Sequence, residues 1–264
     1  MRRVTALLWA APIVLVTQCS TTDSSGPGAG IDPSAASATS ITSDRADDPY
    51  RSEILTPDGG DVYRIDESAD RVTVTAPTTN RSGNLRLVAV RDGLEPSVDQ
   101  ESCITWSGPL HASVQPGVAL RVSGAPDDTR AITVSNNVWM LNRRDINVHL
   151  AKTAEGPVSD QMTLVGKVAL PSALGADVYS QKPLPWRMCA RANGTTVEVK
   201  AWSTAEQTDE PSWDDPRFAG AVPVPADWVY PGRPGWYAGH LGPGEQIHYG
   251  DDVAGALAPE AGAR

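Results

Sequence analysis

Two arginines, a glutamate and two tryptophans lie close together in the stretch PLPWRMCARANGTTVEVKAWSTAEQTDEPSWDD: Arg187, Arg191, Glu198, Trp202 and Trp213. Their types suit recognition of a polyhydroxylated ligand. Indole offers a broad flat face with one N–H donor, the axial C–H faces of a sugar ring stack on such a surface, and guanidinium and carboxylate groups donate to and accept from hydroxyls. Aromatic usage points the same way, because eight tryptophans, one of them Trp9 near the N-terminus, stand against a single phenylalanine, Phe218. Trp186 reads as core, whereas Trp202, Trp213, Trp228 and Trp236 divide between ligand contact and packing.

Other chemistries find less support. Glycoside hydrolysis needs two carboxyl groups flanking the scissile bond, and no strand carries an E-x-D-x-x-E array; the acids crowd into loops at Asp209-Glu210, Asp214-Asp215 and Asp251-Asp252. No G-x-S-x-G elbow is present. The four histidines, His111, His149, His240 and His248, form no H-E-x-x-H or short ligand pair, so no catalytic zinc site is legible. His149 and His240 sit in strand-like runs and read as hydrogen-bonded structural residues. No cofactor is implied, with a structural calcium ion left open at the loop carboxylates Asp58, Asp61, Asp214 and Asp215, because hard cations take such oxygens. No catalytic residue and no metal ligand is assigned.

The elements that position these side chains are short and alternating, with no long 3.6-residue periodicity to compete. DVYRI, RVTVTA, NLRLVAV, SCITW, GVALRVS, RAITVS, NVWML, INVHL, VGKVAL, PWRMCARA, TTVEVKAW, WYAGHL and EQIHY all read as strands. That number implies two stacked sheets, each burying one face; a closed barrel is the rival. Asn193-Gly194 suits a type I′ hairpin turn. Pairing outward from it sets Ala190 opposite Val197, Met188 opposite Val199 and Trp186 opposite Ala201, all facing the core. The other face then carries Arg187, Cys189, Arg191, Thr196, Glu198, Lys200 and Trp202, with Glu198 diagonal to both arginines. A shallow concave surface is expected there. The stretch DWVYPGRPGWYAGHLGPGEQ reads as a rigid Pro/Gly loop before a strand, either framing a ligand groove or covering a sheet edge.

At the N-terminus, Arg2 and Arg3 precede an apolar run from Ala6 to Val16, which is the pattern of a secretory signal and too short to span a bilayer. Leu15-Val16-Thr17-Gln18-Cys19 followed by STTDSSGPGAG resembles the lipobox and tether of a bacterial lipoprotein, with Gln18 where a smaller residue is usual. The resemblance implies a signal peptide over 1–18, lipidation of Cys19, and anchoring at the extracytoplasmic face of the cell membrane. Residues 19–48 hold only Ile31 and Ile41 as large apolar side chains, and read as a flexible tether spanning roughly 30 Å. With Cys19 lipidated, Cys103 and Cys189 remain. In a compartment where disulfides persist they are expected to pair, tying distant parts of a β-structure together. Residues 49–249 form the folded domain and 250–264 a loose tail.

The PLPWRMCARANG hairpin, with the acidic loop ending in Glu210-Pro211-Ser212-Trp213, resembles the late hairpin of laminin-G-like, concanavalin A-like jelly rolls. Together with ESCITW, GVALRVS and the lipobox, the chain resembles secreted actinobacterial lipoproteins. The resemblance implies an all-β, two-sheet antiparallel jelly-roll sandwich, and it speaks to fold more than to activity.

With Lys+Arg 22 against Asp+Glu 32 and a net charge of -10, the chain lacks the basic footprint a nucleic-acid binder needs. The reading that follows is an extracytoplasmic β-sandwich module without chemistry that binds a carbohydrate or envelope glycan. A scaffolding lipoprotein docking a protein partner, and a glycan hydrolase or lyase with a dispersed carboxylate site, are the alternatives.

Overall fold

The computed structural model describes residues 50–56, 63–68, 71–78, 86–108, 114–125, 128–138, 142–153 and 161–257. The expected signal peptide, Cys19 and tether, together with Asp58, Asp61 and His111, lie outside the described residues.

The alternating segments assemble into two antiparallel sheets of seven strands each. The first runs, in spatial order, β1 (Tyr50–Thr56), β4 (Arg86–Arg91), β13 (Arg233–Gly239), β6 (Gln115–Ser123), β7 (Arg130–Val138), β8 (Arg144–Lys152) and β9 (Met162–Val168). The second runs β12 (Ala219–Pro223), β11 (Thr196–Ser203), β10 (Trp186–Asn193), β5 (Gln100–Gly108), β14 (Gln246–Ala256), β3 (Arg71–Thr75) and β2 (Arg64–Ser68). A single helical turn, α1 (Pro171–Leu174), follows β9. This is the expected two-sheet sandwich; each sheet has its own edge strands, so the barrel alternative falls away.

Period-2 alternation turns Val118, Leu120, Ile132, Val134, Ile146 and Val148 of the first sheet toward Val74, Ile104, Met188, Ala190, Val197 and Val199 of the second, in one buried core. Aromatic pairs thicken it. Trp106 and Trp186 meet edge to face at 5.2 Å, and Trp236 sits 5.7 Å from Tyr50 and 5.5 Å from Tyr249. Trp186 is core, as read from sequence, with its indole N–H donating to the Lys182 carbonyl at 2.9 Å. Trp228 and Trp236 are also buried, so both belong to packing. Truncating such a residue costs about 3–5 kcal/mol.

Several sequence expectations change in detail. Strands β1 and β12 carry too little apolar alternation to announce themselves, and Asn137-Val138, the start of NVWML, closes β7. The expected loose tail from Gly250 is instead strand through Ala256, because β14 pairs with β5 from His248 to Ala256 across two register shifts. The Pro/Gly-rich stretch is no edge cover: β13 lies between β4 and β6, and Pro234 and Gly235 are buried within it. The β10–β11 turn is centred on Gly194 and Thr195, so Asn193 pairs with Thr196 and Arg191 faces Glu198 directly. Gly194 takes φ of +52° and Thr195 stays at negative φ, the type II′ pattern in which only the first central residue needs the left-handed region. Every pair moves by two residues relative to the type I′ reading, so each side chain keeps its expected face.

A buried arginine locks this arrangement. Arg121, on β6 at φ +52°, is shut from solvent. It donates from Nε to the Val98 carbonyl at 3.0 Å, from Nη1 to the Trp228 carbonyl at 2.7 Å and from Nη2 to the Gly194 carbonyl at 2.7 Å. Its backbone N–H reaches Gln100 Oε1 at 2.8 Å, and Gln100 Nε2 donates on to the Gly232 carbonyl at 3.1 Å. Gly232 is obligatory here, since a Cβ would lie 2.4 Å from the Arg121 carbonyl carbon. Replacing Arg121 with Met strands three carbonyls at about 1–3 kcal/mol each. The expected outcome in chemical denaturation is a loss of about 3 kcal/mol or more for Arg121→Met, and a loss under about 1 kcal/mol would contradict this role.

Candidate functional site

The outward side of β11, β10 and β5 carries three rungs of side chains: Trp202–Arg187–Thr105, Lys200–Cys189–Cys103 and Glu198–Arg191–Glu101. With neighbouring strands about 4.8 Å apart, each rung spans about 10 Å. Cys103 and Cys189 form the expected disulfide, with Cα atoms 4.1 Å apart and a sequence separation of 86. It joins adjacent strands at directly paired positions, rather than distant parts of the structure. Closing a loop of that length contributes about 4–5 kcal/mol on the chain-entropy model.

The loop from Thr204 to Phe218 folds back over these rungs. The Ala201 N–H donates to the Phe218 carbonyl at 2.9 Å, and Lys200, whose side chain is 2 % exposed, reaches Glu210 Oε1 at 2.5 Å. Trp213 lies with its ring centroid 4.2 Å from Lys200 Nζ and 4.4 Å from the Arg191 guanidinium carbon. Each such contact is worth about 0.5–2 kcal/mol, more as it is desolvated. Beneath the loop, Cys103, Cys189 and Trp202 form a small second core against which Trp213 and Phe218 pack.

The five residues read from sequence therefore separate. Trp202 faces outward as expected, but at 2 % exposure it is no stacking platform: the loop and the disulfide enclose it. Trp213, Arg187, Arg191 and Glu198 are half-buried and stay on the accessible side. Arg191 donates from Nε and Nη2 to the two oxygens of Glu198 at 2.6 and 3.1 Å, a bidentate pair that raises the Arg191 pKa. Arg187 Nη1 donates to Thr105 Oγ1 at 3.0 Å. Three residues of the cluster were not singled out from sequence: Lys200, Glu210 and Glu101. Lys200 was visible by alternation. Glu210 read as a solvated loop acid. Glu101 becomes legible only once Cys103 is set against Cys189, which places it opposite Arg191.

Two carboxylates, Glu101 and Glu198, flank Arg191. Burial lifts the Glu101 pKa, opposed by Lys200, with Glu210 adding to the rise and the arginines opposing it. Glu198 has both oxygens committed to Arg191, so the pair lacks the free base or nucleophile that glycoside hydrolysis requires. Among the described residues, the group with metal-like spacing is Glu101, Cys103 and Cys189, whose sulfurs are joined to each other and supply no thiolate. Of the carboxylates considered for calcium, Asp215 has both oxygens on the Arg217 guanidinium, at 2.9 and 2.5 Å for the closest contacts. These hydrogen bonds hold its pKa below the usual range.

A carboxyl whose folded pKa lies above its unfolded value binds its proton more tightly in the fold, so stability falls as pH rises through that window. For Glu101 the window begins in the ordinary carboxylate range. Thermal denaturation of Glu101→Gln at pH 4 and pH 7 is expected to show a Tm gain over wild type that is larger at pH 7. A gain that does not grow with pH would contradict the assignment.

No protein-family model matches the chain, and no curated protein does. Among solved structures, similarity extends to a functionally unknown protein from Saccharomyces cerevisiae, at 10 % identity over 78 % of this chain and 97 % of that one, with a TM-score of 0.44. The carbohydrate-binding module CBM66 from Bacillus subtilis is similar at 9 % identity over 78 % of this chain and 95 % of that one, with a TM-score of 0.40. The exoplasmic/lumenal domain of VIP36, in a form bound to Ca2+ and Man3GlcNAc, is similar at 12 % identity over 81 % of this chain and 86 % of that one, with a TM-score of 0.45.

Proposed function

We propose that the chain is an extracytoplasmic glycan-binding module that performs no chemistry, held to the cell membrane by lipid on Cys19. The observation that carries the glycan reading is Trp213. Its half-buried ring is fixed on Lys200 and Arg191, beside a bidentate Arg191–Glu198 pair with side chains 30 % and 26 % exposed. A ring held in one orientation loses little conformational entropy on stacking a sugar. The neighbouring guanidinium and carboxylate can exchange part of their mutual hydrogen bonding for sugar hydroxyls. Arg187 and Glu101 border the same surface through their pairing with β10 and β5 neighbours.

The scaffolding alternative calls for an apolar exposed patch of several hundred Å2. The exposed large hydrophobics among the described residues are Leu164, Tyr179 and Val253, on β9, the segment after α1 and β14, and they favour it weakly. The lipid anchor is supported by the Arg2-Arg3 charge pair, the short apolar run and Cys19 ahead of a polar tether.

Two outcomes are expected. Titration of a bound envelope polysaccharide, followed by intrinsic tryptophan fluorescence, is weakened tenfold or more by Trp213→Ala, as for an aromatic anchor whose truncation costs about 2 kcal/mol; an unchanged titration sinks the platform. In cells, an alkyne fatty acid labels the wild type and not Cys19→Ser, and equal labelling of both would remove the anchor.

A further inference from the structure

Trp213 stands over Lys200 of β11 and Arg191 of β10, and the rungs that carry those two cations do not end at β5. Val253 of β14 is paired with Cys103, and Gly255 with Glu101. Directly paired residues share one side of a sheet, so the Lys200–Cys189–Cys103 rung closes at Val253 and the Glu198–Arg191–Glu101 rung at Gly255. One rung away, Gly250 is set against Thr105. A register shift between Gly250 and Val253 keeps Val253 on the outward side, where simple alternation would turn it inward.

The strip of Gly250, Val253 and Gly255 is open. Val253 is 59 % exposed, and Glu101, Thr105, Gly250 and Gly255 are half-buried. β3 pairs with β14 only from Gln246 to Tyr249, so beyond Tyr249 the partner of β14 among the described strands is β5. A glycine within a strand weakens it, and marks a bulge or a place where another backbone or a ligand comes close. Elsewhere in this fold the close neighbour is the chain itself: a Cβ at Gly166 would meet Val222 at 2.4 Å, one at Gly220 would meet Val168 at 2.6 Å, and one at Gly235 would meet the Ala89 carbonyl oxygen at 2.0 Å. At Gly255 nothing lies within 4 Å, φ is not in the left-handed range, and its pairing with Glu101 is regular. No internal contact accounts for this glycine.

We propose that the strip continues the Trp213 surface, and that the ligand is an extended, uncharged glycan chain, one ring stacked on Trp213 and a later ring lying on Gly255. The proposal rests on the glycan reading of Trp213 and adds the length and charge of the ligand. From β11 to β14 is three strand spacings, about 14 Å, more than a single pyranose ring covers. Glu101 lies between the two ends and accepts from hydroxyls. The charged donors along the path are engaged, Arg191 with both oxygens of Glu198, Lys200 with Glu210 and Arg187 with Thr105, which leaves a poor complement for a polyuronate.

The test measures binding of the full chain to neutral gluco-, manno- and galacto-configured sugars, each as a series from monosaccharide to hexasaccharide, with oligogalacturonate as the charged comparison. In one neutral series the affinity is expected to rise about tenfold or more with length, the gain from a further ring held in place. Gly255→Ile fills the strip with a side chain that suits a strand and meets no neighbour. Its Tm is expected to equal or exceed that of wild type, with monosaccharide binding unchanged and the gain on lengthening lost. A lowered Tm would assign the glycine to the fold and overturn the proposal. So would wild-type affinity that does not depend on length, a length gain that survives in Gly255→Ile, a preference for oligogalacturonate, or no binding of any probe. Trp213→Ala separates the two levels: weakening at every length without length dependence in wild type removes the strip alone, whereas no effect at any length removes the Trp213 platform as well.

Discussion

A guanidinium enclosed away from water must direct its donors at protein acceptors, because an unpaired buried charge costs several kcal/mol. Arg121 does so with carbonyls from three separate places: the approach to β5, the turn between β10 and β11, and the turn before β13. The charge can be buried only if all three are in place, so one residue holds the sheet ends in register. Its left-handed backbone and the close passage of Gly232 over it are the local cost of that arrangement. Burial also draws the Arg121 pKa down, Asp99 opposing the effect.

With β5 and the β10–β11 hairpin pinned at one end, the disulfide pins them again at mid-strand. Everything outward of it follows. The rungs that carry Arg187, Arg191, Glu198 and Glu101 are rigid because their strands are tied twice. The loop from Thr204 to Phe218 closes on Trp202 because Lys200 pairs with Glu210 and Trp213 seats on two cations. What stays accessible is the rim: one aromatic ring and a set of paired charges. The outward side of the first sheet is built differently. There Thr133 Oγ1, Ser135 Oγ, Asn147 Oδ1 and His149 Nδ1 are buried without a hydrogen-bond partner.

Much of the sandwich was legible because period-2 alternation is a strong signal, and the face of every residue in the β10–β11 hairpin came out right. The register did not, because Asn193-Gly194 suits a type I′ turn while the chain uses Gly194-Thr195 in the type II′ form, a choice that flanking context decides. Strand β12 was invisible since AGAVP mixes a glycine and a terminal proline in an edge strand. The burial of Trp202 was equally illegible: alternation reports which side of a sheet a residue faces, not whether a loop lies over that side. His149 was misjudged for a related reason, since a strand-like setting says nothing about whether a buried nitrogen finds a partner.

The most direct measurement is a glycan-array screen of the intact chain across bacterial-envelope and plant polysaccharides. Selective retention on a restricted group of glycans is the expected result, and it would establish the binding role on which the account rests. Silence across the array, with the protein folded by circular dichroism, would contradict it and turn attention to a protein partner.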